Sequence, residues 1–224
     1  MNAIVIDEPK FRFKKYVFEN REHAGKILAE KLEKYINSDA IVLAIPAGGV
    51  PIGKIIAKHI KAHFDLILVR KIQIPWNKEA GFGAVTQDGV ILFNEPLMAE
   101  LGLTDEDINN CVSKTRNELV RRMQIFRGNK PMPNLKNKVV ILVDDGLASG
   151  FTMLAAIQSI KKKKPKKITI AIPTASFTAI NLINPHVDEI ICLNIRDEYF
   201  FAVADAYVNW YDLNDEDVLN YLRD

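Results

Sequence analysis

The sequence predicts an α/β protein built on a doubly wound, mainly parallel sheet, and three observations predict it. Strand-length apolar runs recur along the chain: "DAIVLAIP", "FDLILVRK", "KVVILVDD", "KITIAIP" and "VDEIICLN". They are apolar almost throughout rather than at every second position, the pattern of strands covered on both faces. Helix-like segments separate them, and strands that alternate with helices make a parallel sheet with helices on each side.

The elements follow in order. A short N-terminal arm, residues 1–17, precedes "ENREHAGKILAEKLEKYI", where Ala24, Ile27, Leu28, Leu32 and Ile36 fall at helical spacing. "DAIVLAIP" is then the first core strand, "GVPIGKIIAKHI" the next helix and "FDLILVRK" the second strand. Residues 72–95 break the alternation with a Gly-rich, flexible loop followed by Asp88-Gly89 between two β-rich runs, a hairpin signal. Thr104, followed by acids, opens a long amphipathic helix over "TDEDINNCVSKTRNELVRRMQIF". After the remaining strands, residues 196–224 are rich in aromatics and end in a short helix capped by Asn214 or Asp215. With no internal repeat and no linker rich in Pro, Gly or Ser, residues 1–224 are expected to form a single domain.

Bulk properties narrow the function classes. A chain of 224 residues, 48% hydrophobic and 26% charged, has an ordinary globular composition. Its net charge of +2 makes neither nucleic acid nor an acidic membrane an obligatory partner. The run "KKKKPKK" reads as the solvated end of a helix. Cys111 and Cys192 are isolated, so no disulfide framework is expected. His59 and His63 fall at i and i+4 on a helix, a spacing that permits a metal site, but no third ligand accompanies them. Asp7 and Glu8 stand in the first ten residues, and no segment reaches the roughly 18 consecutive apolar residues of a membrane span. A cytoplasmic protein without a membrane partner is the expectation.

The stretch "VVILVDDGLASGFTML", residues 139–154, carries the chemistry. In open parallel sheets ligands bind outside the carboxyl ends of the strands, which puts Asp144 and Asp145 at that edge. The loop from Gly146 to Gly150 then leads into a helix beginning near Thr152, whose free N–H groups and dipole favour a phosphate. Ser149 and Thr152 add hydroxyl donors. Two carboxylates beside a phosphate site make sense if they face hydroxyl groups, as on a sugar phosphate.

These residues resemble the phosphoribosyl-pyrophosphate signature of the type I phosphoribosyltransferases: apolar strand, two acids, and a small-residue loop ending in Ser, Gly and a nearby Thr. "AIPAGGVPIG", "LVRKIQIPWNKEAGFGAVTQDG" and "FFAVADAYVNWY" are similar to the less characterised bacterial and archaeal branch of that family, and the resemblance runs from about Phe18 onward. It implies that Asp144 and Asp145 bind the ribose hydroxyls, while Gly146, Leu147, Ala148, Ser149, Gly150 and Thr152 bind the 5-phosphate. Ala47, Gly48 and Gly49 would hold pyrophosphate, with Arg70 and Lys71 as cations at the end of the second strand. The segment from Ile72 to Gly83 would be a flexible lid carrying Lys78 inward. The C-terminal segment, with Tyr199, Phe200, Phe201, Tyr207 and Trp210, would form a hood over the acceptor, those aromatics serving mainly as its packing.

The implied reaction is Mg2+-dependent transfer of 5-phosphoribosyl from phosphoribosyl pyrophosphate to a nucleobase-like nitrogen, with Mg2+ held mainly by substrate oxygens and by Asp144 or Asp145 if by the protein at all. The alternative is a regulator that senses phosphoribosyl pyrophosphate or a nucleotide without turnover; a third is a doubly wound protein for some other phosphate. The family also implies a homodimer. Two departures stand out. Ala47 occupies a position where many relatives in this branch carry Arg, and Ala148 one where the hypoxanthine-guanine enzymes carry an acid, which makes a 6-oxopurine a less expected acceptor.

Overall fold

The computed structural model describes residues 2–128, 130–198 and 200–223, with Lys78 and Glu79 described in their backbone alone. A six-stranded sheet runs through the centre. Its strands are β1 (Ile4–Ile6), β2 (Ile41–Ala44), β3 (His63–Leu66), β7 (Val139–Val143), β8 (Lys167–Ser176) and β9 (Glu189–Arg196). They lie in the order β1-β9-β8-β7-β2-β3, and every neighbouring pair is parallel.

The helices that cover it are α1 (Arg21–Lys31), α2 (Gly49–Ile60), α5 (Phe151–Lys161) and α6 (Phe177–Ile183). The apolar runs are buried because both faces are covered. Ile41, Leu43, Val140 and Leu142 pack with α5, whereas Val42, Ile141 and Val143 pack with α1 and α2. From β2 the chain winds outward to β3, and from β7 it winds the other way to β8 and β9. The strand order therefore reverses between β2 and β7, which is where open α/β sheets leave a crevice at their carboxyl edge.

The predicted helix over "GVPIGKIIAKHI" is α2, and the acid-opened helix is α4 (Asp105–Arg127), closed at its start by a reciprocal Thr104/Asp107 capping box. The first helix stops at Lys31, short of the predicted Ile36, and is capped by Asn20. The last helix is α7 (Asp215–Arg223), and Asn214 accepts from the N–H groups of Glu216 and Asp217. A further short helix, α3 (Glu95–Leu101), is capped by Asn94.

Three expectations are corrected. "FDLILVRK" is not one strand: β3 ends at Leu66, and β4 (Val69–Ile74) begins a separate antiparallel sheet with β5 (Asn77–Thr86) and β6 (Ile91–Phe93). Arg70 and Lys71 thus open a hairpin instead of ending a core strand. The Ile72–Gly83 segment is drawn into the β4–β5 pair, with register shifts around Gln73. Its anchor is apolar: Ile72, Ile74, Phe82 and Val85 are buried with Val112 and Leu119 of α4. Asp88-Gly89 does form the β5–β6 turn, where Gly89 has φ +85° and Thr86 donates its hydroxyl to Asp88 at 2.6 Å. Finally, His59 ends on α2 and His63 opens β3, so the two do not share a helix.

The N-terminal arm has a place: β1 is the outer strand of the sheet, paired with β9. Just after the arm, Phe18 bridges to Tyr207 of the aromatic C-terminal segment. Among the described residues no helix is long and apolar enough to cross a membrane.

Candidate active site

Asp144 and Asp145 leave the carboxyl end of β7 at the switch point. Loop 146–150 behind them is tied to β8 through its first half: Leu147 donates its N–H to the Thr174 carbonyl at 3.0 Å and accepts from Ser176 N–H at 3.0 Å. The Ser176 hydroxyl also donates to the Ala148 carbonyl at 2.7 Å. Gly150, at φ +81°, turns the chain into α5, whose first residue is Phe151.

Residues 146–153 line a cavity of about 380 Å³ together with Asp144, Lys71, Gly81, Gly83 and Val203. The β5 glycines face it from the hairpin and Val203 from the C-terminal segment. A second cavity, of about 300 Å³, is lined by Pro46, Ala47, Gly48, Arg70, Lys71, Arg122, Asp144 and Asp145. Asp144, Lys71 and Thr152 belong to both. The two spaces meet at Asp144.

The glycines of loop 46–49 have a steric reason. A Cβ on Gly48 would lie inside the Asp145 carboxylate, and one on Gly49 would come within 2.6 Å of the Val143 carbonyl. The loop thus packs directly on the strand end that carries the acids. The Pro46–Ala47 peptide bond is cis.

Asp145 is embraced by Arg21, which sequence reasoning missed, and by aromatics of the C-terminal segment. Arg21 Nε donates to its Oδ2 at 2.8 Å, Arg21 Nη1 donates to the Tyr211 carbonyl at 2.8 Å, and the guanidinium lies 3.9 Å from the Trp210 ring centroid. The Tyr207 hydroxyl donates to the Asp145 carbonyl at 2.6 Å. Asp145 N–H in turn donates to Asp144 Oδ1 at 2.9 Å. Burial, and then the Asp145 charge, pushes the Asp144 carboxyl well above the ordinary range. Burial also raises Asp145, although the Arg21 cation pulls against it.

The remaining predicted residues distribute as follows. Arg70 Nε donates to Glu118 Oε2 at 2.7 Å, and Lys71 lines both cavities. Ser149 and Thr152 border the first cavity. The Lys78 side chain lies outside the described residues, as does Tyr199. Phe200 is exposed, whereas Tyr207 is buried against Phe18 and Trp210. One signal for Arg21 was available: a helix feeding a parallel strand starts at the carboxyl edge, so the first residue of α1 belongs near the site. Among the described residues no three His, Cys, Asp or Glu side chains gather to hold a metal ion. Asp144 and Asp145 are the carboxylates available to a cation brought in on a ligand.

An open parallel sheet with paired acids and a glycine loop at its switch point, faced by a hairpin, defines a doubly wound α/β protein with a carboxyl-edge binding cleft. Within that class, the chain belongs to the phosphoribosyl transferase domain family, whose model matches residues 17–207. Proteins from two strains of Mycobacterium tuberculosis, described as provisional phosphoribosyl transferases, are 32% identical over 206 residues. The match covers 92% of this chain and 46% of theirs, so the chain spans about half the length of these relatives. A uracil phosphoribosyltransferase from Mycoplasma genitalium is 44% identical over 63 residues, covering 26% of this chain and 31% of that protein. The crystal structure of TT1426 from Thermus thermophilus is 30% identical and superimposes with a TM-score of 0.72, covering 92% of this chain and 97% of that one.

Proposed function

We propose that this chain transfers 5-phosphoribosyl from phosphoribosyl pyrophosphate to a nucleobase-like nitrogen and releases pyrophosphate. One observation carries the proposal: a glycine-loop cavity and a cation-lined cavity meet at Asp144. A ligand with a phosphate at one end, a diphosphate at the other and a diol between them suits that arrangement.

In this reading the loop 146–150 and Thr152 receive the 5-phosphate, Asp144 and Asp145 the ribose hydroxyls, and Gly48, Gly49, Arg70 and Lys71 the pyrophosphate. Departure of pyrophosphate from C1 leaves positive charge on the ribose and negative charge on the leaving group, so aligned cations and N–H groups do most of the work. Mg2+ bound on substrate oxygens would supply further charge neutralisation, and the buried acid pair fits a cation because two adjacent carboxylates resist ionising together without one. Lys71 and the β5 glycines border the reacting space and limit water there. Placing the acceptor behind C1 falls to the C-terminal segment around Val203.

A sensor without turnover is the second reading, favoured by the absence of any charged side chain in loop 46–49. Calorimetric titration of phosphoribosyl pyrophosphate with Mg2+ into the wild type and an Asp144→Asn/Asp145→Asn variant, followed by a pyrophosphate-release screen over nucleobases, decides between them. Binding lost in the variant, with release for one base, supports the transferase. Binding without release for any base supports the sensor, and no binding overturns both.

A further inference from the structure

Arg122 lies within α4, yet its side chain is only 17% exposed and lines the second cavity with Arg70, Ala47 and Gly48. Its Nε is buried and, among the described residues, has no hydrogen-bond partner. Nη2 sits 2.8 Å from Asp215 Oδ1, but that oxygen receives no aligned hydrogen bond, so the pair is a charge contact without a directed bond. The neighbouring Arg121 points outward, 57% exposed, and donates to the other Asp215 oxygen at 2.7 Å.

The charges around Arg122 call for an anion. Burial, and then the charge of Arg70, draws the Arg122 pKa below its ordinary value, so the two guanidinium groups disfavour one another. Glu118 answers Arg70 from the same helix, Asp215 answers Arg122 from α7, and Asp145 is already engaged by Arg21. Asp144, the remaining carboxylate on this cavity, resists ionisation. A buried guanidinium with unused donors gains most from an acceptor of opposite charge, and its planar fork matches phosphate oxygens. Loop 46–49 has no cation of its own to offer.

We propose that Arg122 is a pyrophosphate-binding residue, held from behind by Asp215 so that its guanidinium meets diphosphate oxygens beside Arg70. The inference rests on the reading that this cavity receives the pyrophosphate of the substrate. It also gives α7 a role, because a residue of the C-terminal helix steadies a cation in the cleft.

Calorimetry with two probes tests it: pyrophosphate with Mg2+, and ribose 5-phosphate, each titrated into wild type, Arg122→Gln, Arg122→Lys and Arg121→Gln, with melting temperatures in parallel. Arg122→Gln is expected to weaken pyrophosphate binding by about 10-fold to 100-fold, the value of hydrogen bonds to a charged group, and to leave ribose 5-phosphate binding unchanged. Arg122→Lys should fall between, because an ammonium keeps the charge and loses the fork. Arg121→Gln should bind both probes like wild type. Wild-type pyrophosphate affinity in Arg122→Gln overturns the proposal while leaving the proposed function standing. Equal loss of both probes with a lowered melting temperature also overturns it, since that is the signature of a structural residue. If Arg122→Gln does not fold, Arg122→Lys decides alone by weakening pyrophosphate binding, or failing to, at an unchanged melting temperature. A wild type that binds neither probe overturns this inference and the proposed function together.

Discussion

Arg21, the first residue of α1, donates its Nε–H to Asp145 Oδ2 at 2.8 Å across 124 positions of sequence, and the two side chains are only 8% and 15% exposed. Removing one member of a largely buried ion pair leaves the other charged and unpaired, which costs about 3–5 kcal/mol. Arg21→Ala should therefore lower the melting temperature by roughly 10 °C in a chain of this size. Trp210 also loses the cation stacked on its ring. Thermal melts check this, and Asp145→Asn in the same chain should recover part of the loss because no orphaned charge remains.

In the proposed reading Asp144 sets function against stability. Its carboxyl is raised by burial and by Asp145, so the folded chain holds that proton more tightly than the unfolded chain does. The resulting stabilisation is full below the ordinary aspartate value of 3.8 and is lost as pH rises through the raised value. Asp144→Asn is neutral at every pH. The ligand-free variant should melt above wild type at neutral pH, with the gap closing on acidification toward 3.8, while its affinity for phosphoribosyl pyrophosphate falls. Melting curves across that pH range, paired with ligand titration, test both directions; a gap that stays constant with pH would contradict the raised carboxyl.

Gly48 and Gly49 are adjacent but should fail differently. A methyl on Gly48 meets the Asp145 carboxylate, which can be displaced or deleted, whereas one on Gly49 meets the Val143 carbonyl of a core strand. Each alanine should cost about 1–3 kcal/mol through overpacking. Only the Gly48→Ala penalty should shrink in an Asp145→Ala background, where the space has been vacated. Denaturation midpoints of the single and double variants give the answer.

Much of this architecture is legible in the residues, and the exceptions have physical causes. The β7 run, its two acids and the glycine loop are local signals: apolar burial, a strand end and a helix start follow one another within a single short stretch. The switch from β3 to β4 carries no such punctuation, because Leu66, Ile67 and Leu68 are apolar on both sides of the break and neither Gly nor Pro interrupts them. The arm at Ile4–Ile6 is too short to declare itself before β9 pairs with it. Arg21 was placeable from chain direction. Arg122 was not, since a charged residue on a long amphipathic helix reads the same whether it faces water or a hairpin packed against it.

Glu189, at the amino end of β9 and far from the acid pair in the strand direction, offers a pH test that leaves the site untouched. Its side chain is 3% exposed, and burial alone would raise its carboxyl. Hydrogen bonds from Lys34, from the Tyr35 hydroxyl at 2.6 Å and from Lys167 at 3.0 Å outweigh burial and hold it at about 2. A lowered carboxyl contributes stability above the unfolded value of 4.5 and loses it as pH falls through about 2. Lys34 and Lys167 are partly solvated, which discounts the contribution to roughly 2 kcal/mol. Glu189→Gln should therefore be less stable than wild type by about that amount at neutral pH, and the deficit should disappear between pH 4.5 and about 2. Urea denaturation at several pH values checks it. Because the cleft is at the opposite edge of the sheet, phosphoribosyl pyrophosphate binding at neutral pH should stay at the wild-type level; a large loss there would mean that the two edges are coupled through β8 and β9.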